Sequence, residues 1–141
     1  MTDQDLIFSR DGEVAQIVLN RPENGNMLTI DMVNRLAAQV TEAGRDPGVK
    51  AILLAANGDD FCLGRDPAGA PEHAPKTAVQ MRDALTSPIL GVYAAVRGAE
   101  VPVVAAVQGL ANGFGCAMAA VCDVTIAADN SRFALPEMTH D

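Results

Sequence analysis

Between Val103 and Glu137 the chain reads VVAAVQGLANGFGCAMAAVCDVTIAADNSRFALPE, and this stretch restricts the fold more than any other. An apolar run of strand length, Val103 to Val107, leads into Gly109, Gly113 and Gly115, and the small residues that follow through Val121 read as a helix. A strand that passes through glycines straight into a helix is the connection used by layered α/β folds. It also has a chemical consequence. The first-turn amides of a helix have no internal acceptor and sit at the positive end of its dipole, so an anion or a developing oxyanion is the expected guest.

The rest of the chain supplies the neighbours such a unit needs. Leu6 to Ser9 and Val14 to Leu19 are strand-like runs separated by the turn signal Arg10-Asp11-Gly12-Glu13, which predicts a β-hairpin. Thr29 is a good helix N-cap, and Met32, Val33, Leu36, Ala37 and Val40 recur at helical spacing up to Gly44. Ala51 to Ala56 is a continuous apolar run of the kind buried on both faces of a mainly parallel sheet. Asn57 to Asp66 reads as a loop, and Pro67 to Pro75, rich in Pro, Gly and Ala, as an exposed excursion. Lys76 to Gly98 is helical in pattern with an interruption near Ser87-Pro88. Val124 to Ala128 is a last apolar strand, with no covering helix before Asp141; either more protein or a second chain is expected to supply the cover. The order βαβαβ, without internal repeat, predicts an α/β layered fold.

Composition removes several classes of function. A chain of 141 residues that is 49% hydrophobic and 20% charged is long enough for one domain with a core. Its net charge of −8 opposes nucleic acid and gives no attraction to anionic membranes, so a phosphate-bearing ligand must be met by local groups. The three cysteines, Cys62, Cys116 and Cys122, lack CxxC spacing, and the two histidines are His73 and His140; neither a disulfide framework nor a metal site is expected. No apolar run approaches the ~20 residues that span a bilayer, and the first ten residues carry acids where a signal sequence carries bases. A cytoplasmic protein with reduced thiols is expected.

Gly109-Leu110-Ala111-Asn112-Gly113-Phe114-Gly115 has the GxxxGxG spacing of some nicotinamide-dependent dehydrogenases. That reading needs a Tyr-x-x-x-Lys, whereas the single tyrosine stands in Tyr93-Ala94-Ala95-Val96-Arg97, ahead of the glycines and without the lysine. A tight turn that needs glycine for steric reasons alone is the plain alternative.

Four ordered segments carry a more specific likeness: Asn20-Arg21-Pro22-Glu23-Asn24-Gly25-Asn26-Met27-Leu28, Phe61-Cys62-Leu63-Gly64-Arg65-Asp66, Gly109 to Asp123, and Phe133-Ala134-Leu135-Pro136-Glu137. Together they resemble the crotonase family of enoyl-CoA hydratases and isomerases, in order and spacing over nearly all of the chain. The resemblance implies a right-handed spiral of ββα units. It implies a single core domain over residues 1–141, like the N-terminal part of a family member, with the family's C-terminal helical trimerisation region absent from it. A homotrimer or hexamer is implied for a full-length chain.

It also implies a chemistry. Two backbone N–H groups, by position those of Arg65 and Phe114, would form an oxyanion hole for the thioester oxygen of an acyl-CoA. Leu63, Gly64, Arg65, Asp66, Gly113 and Phe114 would contact the substrate. Coenzyme A is then part of the substrate, and no separate cofactor or metal is expected. Both oxyanion positions depart from the small residues usual there, so Arg65 could reach a CoA phosphate or pair with Asp66 or Asp60, and Phe114 would pack and reshape the acyl pocket.

Hydratases of the family use two glutamates around a water. The place of the first is Ala117 here, and the second matches Glu137, which leaves Glu137 as the candidate catalytic base. A single carboxylate suffices to move a proton from C2 to C4 of a 3-enoyl thioester, so isomerase chemistry is the expected reaction. Hydration with a replacement acid or base, such as His140, and acyl-CoA binding without turnover are the alternatives. Asp123 is expected to bond backbone near the start of the next strand, and Cys62 and Cys116 to be small buried residues and not nucleophiles.

Overall fold

The computed structural model describes residues 4–68 and 77–136. Strand β1 (Leu6–Asp11) pairs antiparallel with β2 (Val14–Leu19), so the expected hairpin forms with a tighter turn, Arg10 and Asp11 still belonging to the strand. From β2 onward every pairing is parallel: β2 with β3 (Ala51–Ala56), β3 with β4 (Val103–Val107), and β4 with β6 (Val124–Ala127). The sheet order is β1-β2-β3-β4-β6.

Each parallel strand is followed by a second, shorter extended segment. Leu28 bridges Arg65, Cys62 bridges Ala111, and β5 (Leu110–Asn112) pairs with β7 (Arg132–Ala134), all in parallel. The chain therefore climbs in turns, each laying one strand in the main sheet and one rung in a second ladder, with a helix after each of the first three. The helices are α1 (Ile30–Arg45) after the first turn, α2 (Ala78–Met81) and α3 (Ser87–Gly98) after the second, and α4 (Phe114–Val121) after the third. This is the ββα spiral that the sequence resemblance implies. The short rungs were invisible as strands in the sequence because three residues carry no periodicity.

Helix α1 forms where its cap and stripe place it. The Met32 N–H donates to Thr29 Oγ1 at 3.3 Å, and Met32, Val33, Leu36 and Val40 are buried. Between α2 and α3, residues Arg82–Thr86 form a π-helical turn, so the expected interruption before Pro88 is a widening and not a break. Proline lacks the N–H for an ordinary helical bond and its ring crowds the carbonyl four residues back, and a wider turn relieves both.

Burial within the sheet corrects one expectation. Ala51–Ala56 is not buried on both faces: Ile52 and Leu54 are buried, whereas Ala51, Leu53, Ala55 and Ala56 are half-buried. The core lies between the helices and one face of the sheet, with Leu19, Leu28, Met32, Ile52, Phe61, Val92, Val103 and Met118 all inaccessible or nearly so. Strand β6 is exposed along its whole length. Of the Pro67 to Pro75 excursion, residues 69–75 lie outside the described residues.

Candidate active site

The site is assembled by the contact between the second and third turns. The Cys62 N–H donates to the Leu110 carbonyl at 3.2 Å and the Asn112 N–H to the Cys62 carbonyl at 2.9 Å, which sets the Phe61 loop beside β5. Asp60 adds a side-chain bond, its Oδ1 accepting from the Leu110 N–H at 2.8 Å. Gly115 is what lets α4 begin there. A Cβ on it would collide with the Cys62 carbonyl, so only glycine permits this approach. Gly113, at φ 57° and ψ −121°, holds a conformation open only to glycine and turns the chain from β5 into α4.

Those turns bring Arg65 and Phe114 to one cavity. The Gly113 N–H is used within the fold, donating to the Ala134 carbonyl at 2.9 Å. The Phe114 and Arg65 N–H groups make no hydrogen bond among the described residues. Both residues line one cavity of about 600 Å³, with Leu63, Gly64, Ile89, Tyr93, Asn112, Gly113, Ala117 and Leu135. Gly64, at φ 118°, holds the left-handed geometry that presents the Arg65 end of the loop.

Of the residues expected to contact substrate, Leu63, Gly64, Arg65, Gly113 and Phe114 thus meet at one cavity. Asp66 does not line it. Its carboxylate accepts from Arg21 Nη1 at 3.0 Å and from the Ala68 N–H at 2.8 Å. The Ala68 bond, first, and Arg21 hold its pKa below the ordinary carboxylate value. Arg21 also donates to the Met27 carbonyl at 2.8 Å, and the buried Asn26 donates to the carbonyls of Asn57 and Asp60 at 2.8 and 2.9 Å. The Asn20 to Leu28 segment is therefore a clamp between the first two turns.

The surface pairing considered for Arg65 does not form: Asp66 is engaged by Arg21 and Asp60 by Leu110, and Arg65 is exposed without an ion pair among the described residues. Phe114 is 7% exposed, its ring 6.0 Å from that of Tyr93 at a tilt of 52°. Ala117 lines the cavity as a bare methyl group. Glu137 and His140 lie outside the described residues.

The cysteines behave as small hydrophobic groups in two of three cases. Burial pushes the Cys62 and Cys122 thiols up to about 11, far from thiolate formation at neutral pH. Cys116, expected to be buried, is half-buried. Asp123 bonds backbone as expected, its Oδ2 accepting from the Val103 N–H at 2.8 Å, so it ties β6 to the start of β4. Among the described residues no cluster of three metal-ligating side chains occurs, and no helix is long and apolar enough to cross a membrane. No local sequence signal marks Ile89, Tyr93 or Asn112 as lining residues. Ile89 and Tyr93 stand four apart on α3, a spacing that shares a helix face but is shared by core residues too.

A spiral of parallel turns, with residues of two adjacent turns lining one cavity, defines a class of layered α/β protein. Comparison with known proteins names the class. The family model for enoyl-CoA hydratase/isomerase matches residues 9–140, and the chain belongs to that family. The chain is 35% identical over 136 residues to the 2,3-dehydroadipyl-CoA hydratase of Escherichia coli, covering 96% of this chain and 51% of that protein. It is 33% identical over 141 residues to the crotonyl-CoA hydratase of Syntrophomonas wolfei, covering 98% and 52%. The crystal structure of an enoyl-CoA hydratase of Mycobacterium smegmatis superposes with a TM-score of 0.86 at 30% identity, covering 96% of this chain and 52% of that one. The chain spans about half the length of the curated relatives it matches.

Proposed function

We propose that this chain contributes the thioester-binding half of an acyl-CoA enzyme, and that the reaction is transfer of a proton between C2 and C4 of a 3-enoyl thioester. The observation that carries the reading is that Arg65 and Phe114, whose N–H groups make no hydrogen bond among the described residues, line one cavity. Loss of a C2 proton turns the thioester carbonyl into an enolate, and fixed donors stabilise that charge more than the neutral ground state. One such donor is worth about 3–4 kcal/mol in other enzymes. The exposed guanidinium of Arg65, which forms no ion pair among the described residues, is the proposed contact for a phosphate of the CoA moiety.

Glu137 is the proposed base, taking the proton from C2 and returning it at C4. An apolar setting raises a carboxylate pKa toward the value such a base needs. Ala117 favours this one-carboxylate scheme, since a methyl group at that wall neither holds nor activates water. A second reading, hydration of a 2-enoyl thioester, is favoured by the relatives, which are named as hydratases. Assembly as a homotrimer or hexamer is proposed for the full-length polypeptide.

Incubation with 3-hexenoyl-CoA and with crotonyl-CoA in deuterated water separates these. Deuterium entering C2 and C4 of the first, and lost in Glu137→Gln, supports proton transfer by Glu137. Water addition to crotonyl-CoA, with no exchange into the 3-enoyl thioester, supports hydration and overturns the isomerase reading.

A further inference from the structure

The cavity wall combines a charged residue with a pair of rings. Arg65 is exposed and charged, while Phe114 is 7% exposed and packed on Tyr93 at 6.0 Å. Ile89 and Tyr93 from α3 and Ala117 from α4 complete the apolar wall. In the thioester-binding reading the charged CoA portion lies with the exposed Arg65 and the acyl chain along the apolar wall. Phe114 both lines the cavity and sets its ring against Tyr93 of α3. A side chain of this size at the first position of α4 occupies volume that an alkyl chain would otherwise enter.

We propose that the Phe114–Tyr93 pair is the acyl-length stop of this site and restricts it to short-chain acyl-CoA thioesters. The inference rests on the thioester-binding reading above. Two rings in tilted contact, one anchored at a helix start and the other on a different helix, are hard to displace, because moving either opens a void that its neighbours do not fill. Each methylene that finds room in an apolar pocket adds to affinity, and each that does not adds nothing. The stop is therefore read from how affinity changes with chain length, whichever reaction follows.

The test measures dissociation constants of butyryl-, hexanoyl-, octanoyl- and decanoyl-CoA by titration calorimetry with the full chain, its Phe114→Ala and Phe114→Leu variants, and Tyr93→Leu. In the unsubstituted protein affinity levels off between butyryl- and octanoyl-CoA. In Phe114→Ala the octanoyl-to-butyryl affinity ratio rises at least about tenfold, and in Phe114→Leu and Tyr93→Leu it rises less but in the same direction. An unchanged ratio in the folded variants overturns the stop, as does affinity that climbs steadily to decanoyl-CoA in the unsubstituted protein. Should Phe114→Ala not fold, the Leu variants decide. Failure of every thioester to bind the unsubstituted protein overturns the function reading itself, a result distinct from binding that ignores the two rings.

Discussion

Strands β4 and β6 lie side by side and in parallel, and their sequences, VVAAV and VTIA, are both predominantly apolar. Yet Val103, Ala105 and Val107 of β4 are buried, while Val124 and Ile126 of β6 are 50% and 62% exposed. The difference is the helix layer. The faces of β3 and β4 are covered by α1, α3 and α4, whose apolar stripes meet one another as well as the sheet, and among the described residues no helix follows the β6–β7 turn. An apolar strand in a parallel spiral thus acquires burial from what the next segment does and not from its own composition.

The sharpest way to break this comparison is a matched pair of truncations. Ile52→Ala, at an inaccessible position, is expected to cost about 2–5 kcal/mol in urea unfolding. Ile126→Ala is expected to cost less than about 0.5 kcal/mol. A cost for Ile126→Ala equal to that for Ile52→Ala would mean that β6 is covered in solution, and the contrast between the strands would collapse.

Gly115→Ala probes the join between the covered turns, because the added Cβ meets the Cys62 carbonyl. A loss of about 1–3 kcal/mol is expected, together with weaker thioester binding as the Phe114 amide is pushed away. Wild-type stability with intact binding would show that α4 can start elsewhere.

The Arg21–Asp66 contact offers a milder, pH-dependent test. The native pKa of Asp66 is depressed, so its contribution is fully present above the unfolded carboxylate value, about 4, and is lost as pH falls through the lower native value. Asp66→Asn should cost about 1 kcal/mol at pH 7 and progressively less below pH 4. A penalty that did not change with pH would assign the effect to packing. The smallest effect is expected from thiol chemistry: at pH 8 Cys62 and Cys122 should resist iodoacetamide in the folded chain and react after unfolding, as peptide mass mapping would record.

What was legible in the sequence followed from strong local signals. Thr29 with the Met32 to Val40 stripe fixed α1, and the glycines before Phe114 fixed the strand-to-helix corner. The enzyme family was legible in motifs that prove largely structural, such as Arg21 and Asn26 binding neighbouring backbone. What stayed hidden depended on pairing between distant turns. Nothing local marks Leu28 as a partner of Arg65, or shows that Asp66 turns to Arg21 and not to Arg65. The wall formed by Ile89 and Tyr93 was hidden for the same reason, since its facing is set after the π-helical turn absorbs Pro88.

The second ladder meets the next turn at three successive junctions, Leu28 with Arg65, Cys62 with Ala111, and Ala111 with Phe133. Every junction is a similar step in a staircase. Glycines at positive φ stand at each of them: Gly25 and Gly64 at the first, where the Leu63 N–H donates to the Gly25 carbonyl and the Leu28 N–H to the Gly64 carbonyl, Gly113 at the second, and Gly109 at the third, its carbonyl accepting from the Arg132 N–H. Bare backbone, and not an added functional group, is the mortar of the staircase: in a repeating architecture, omission of side chains is what lets one storey rest on the next.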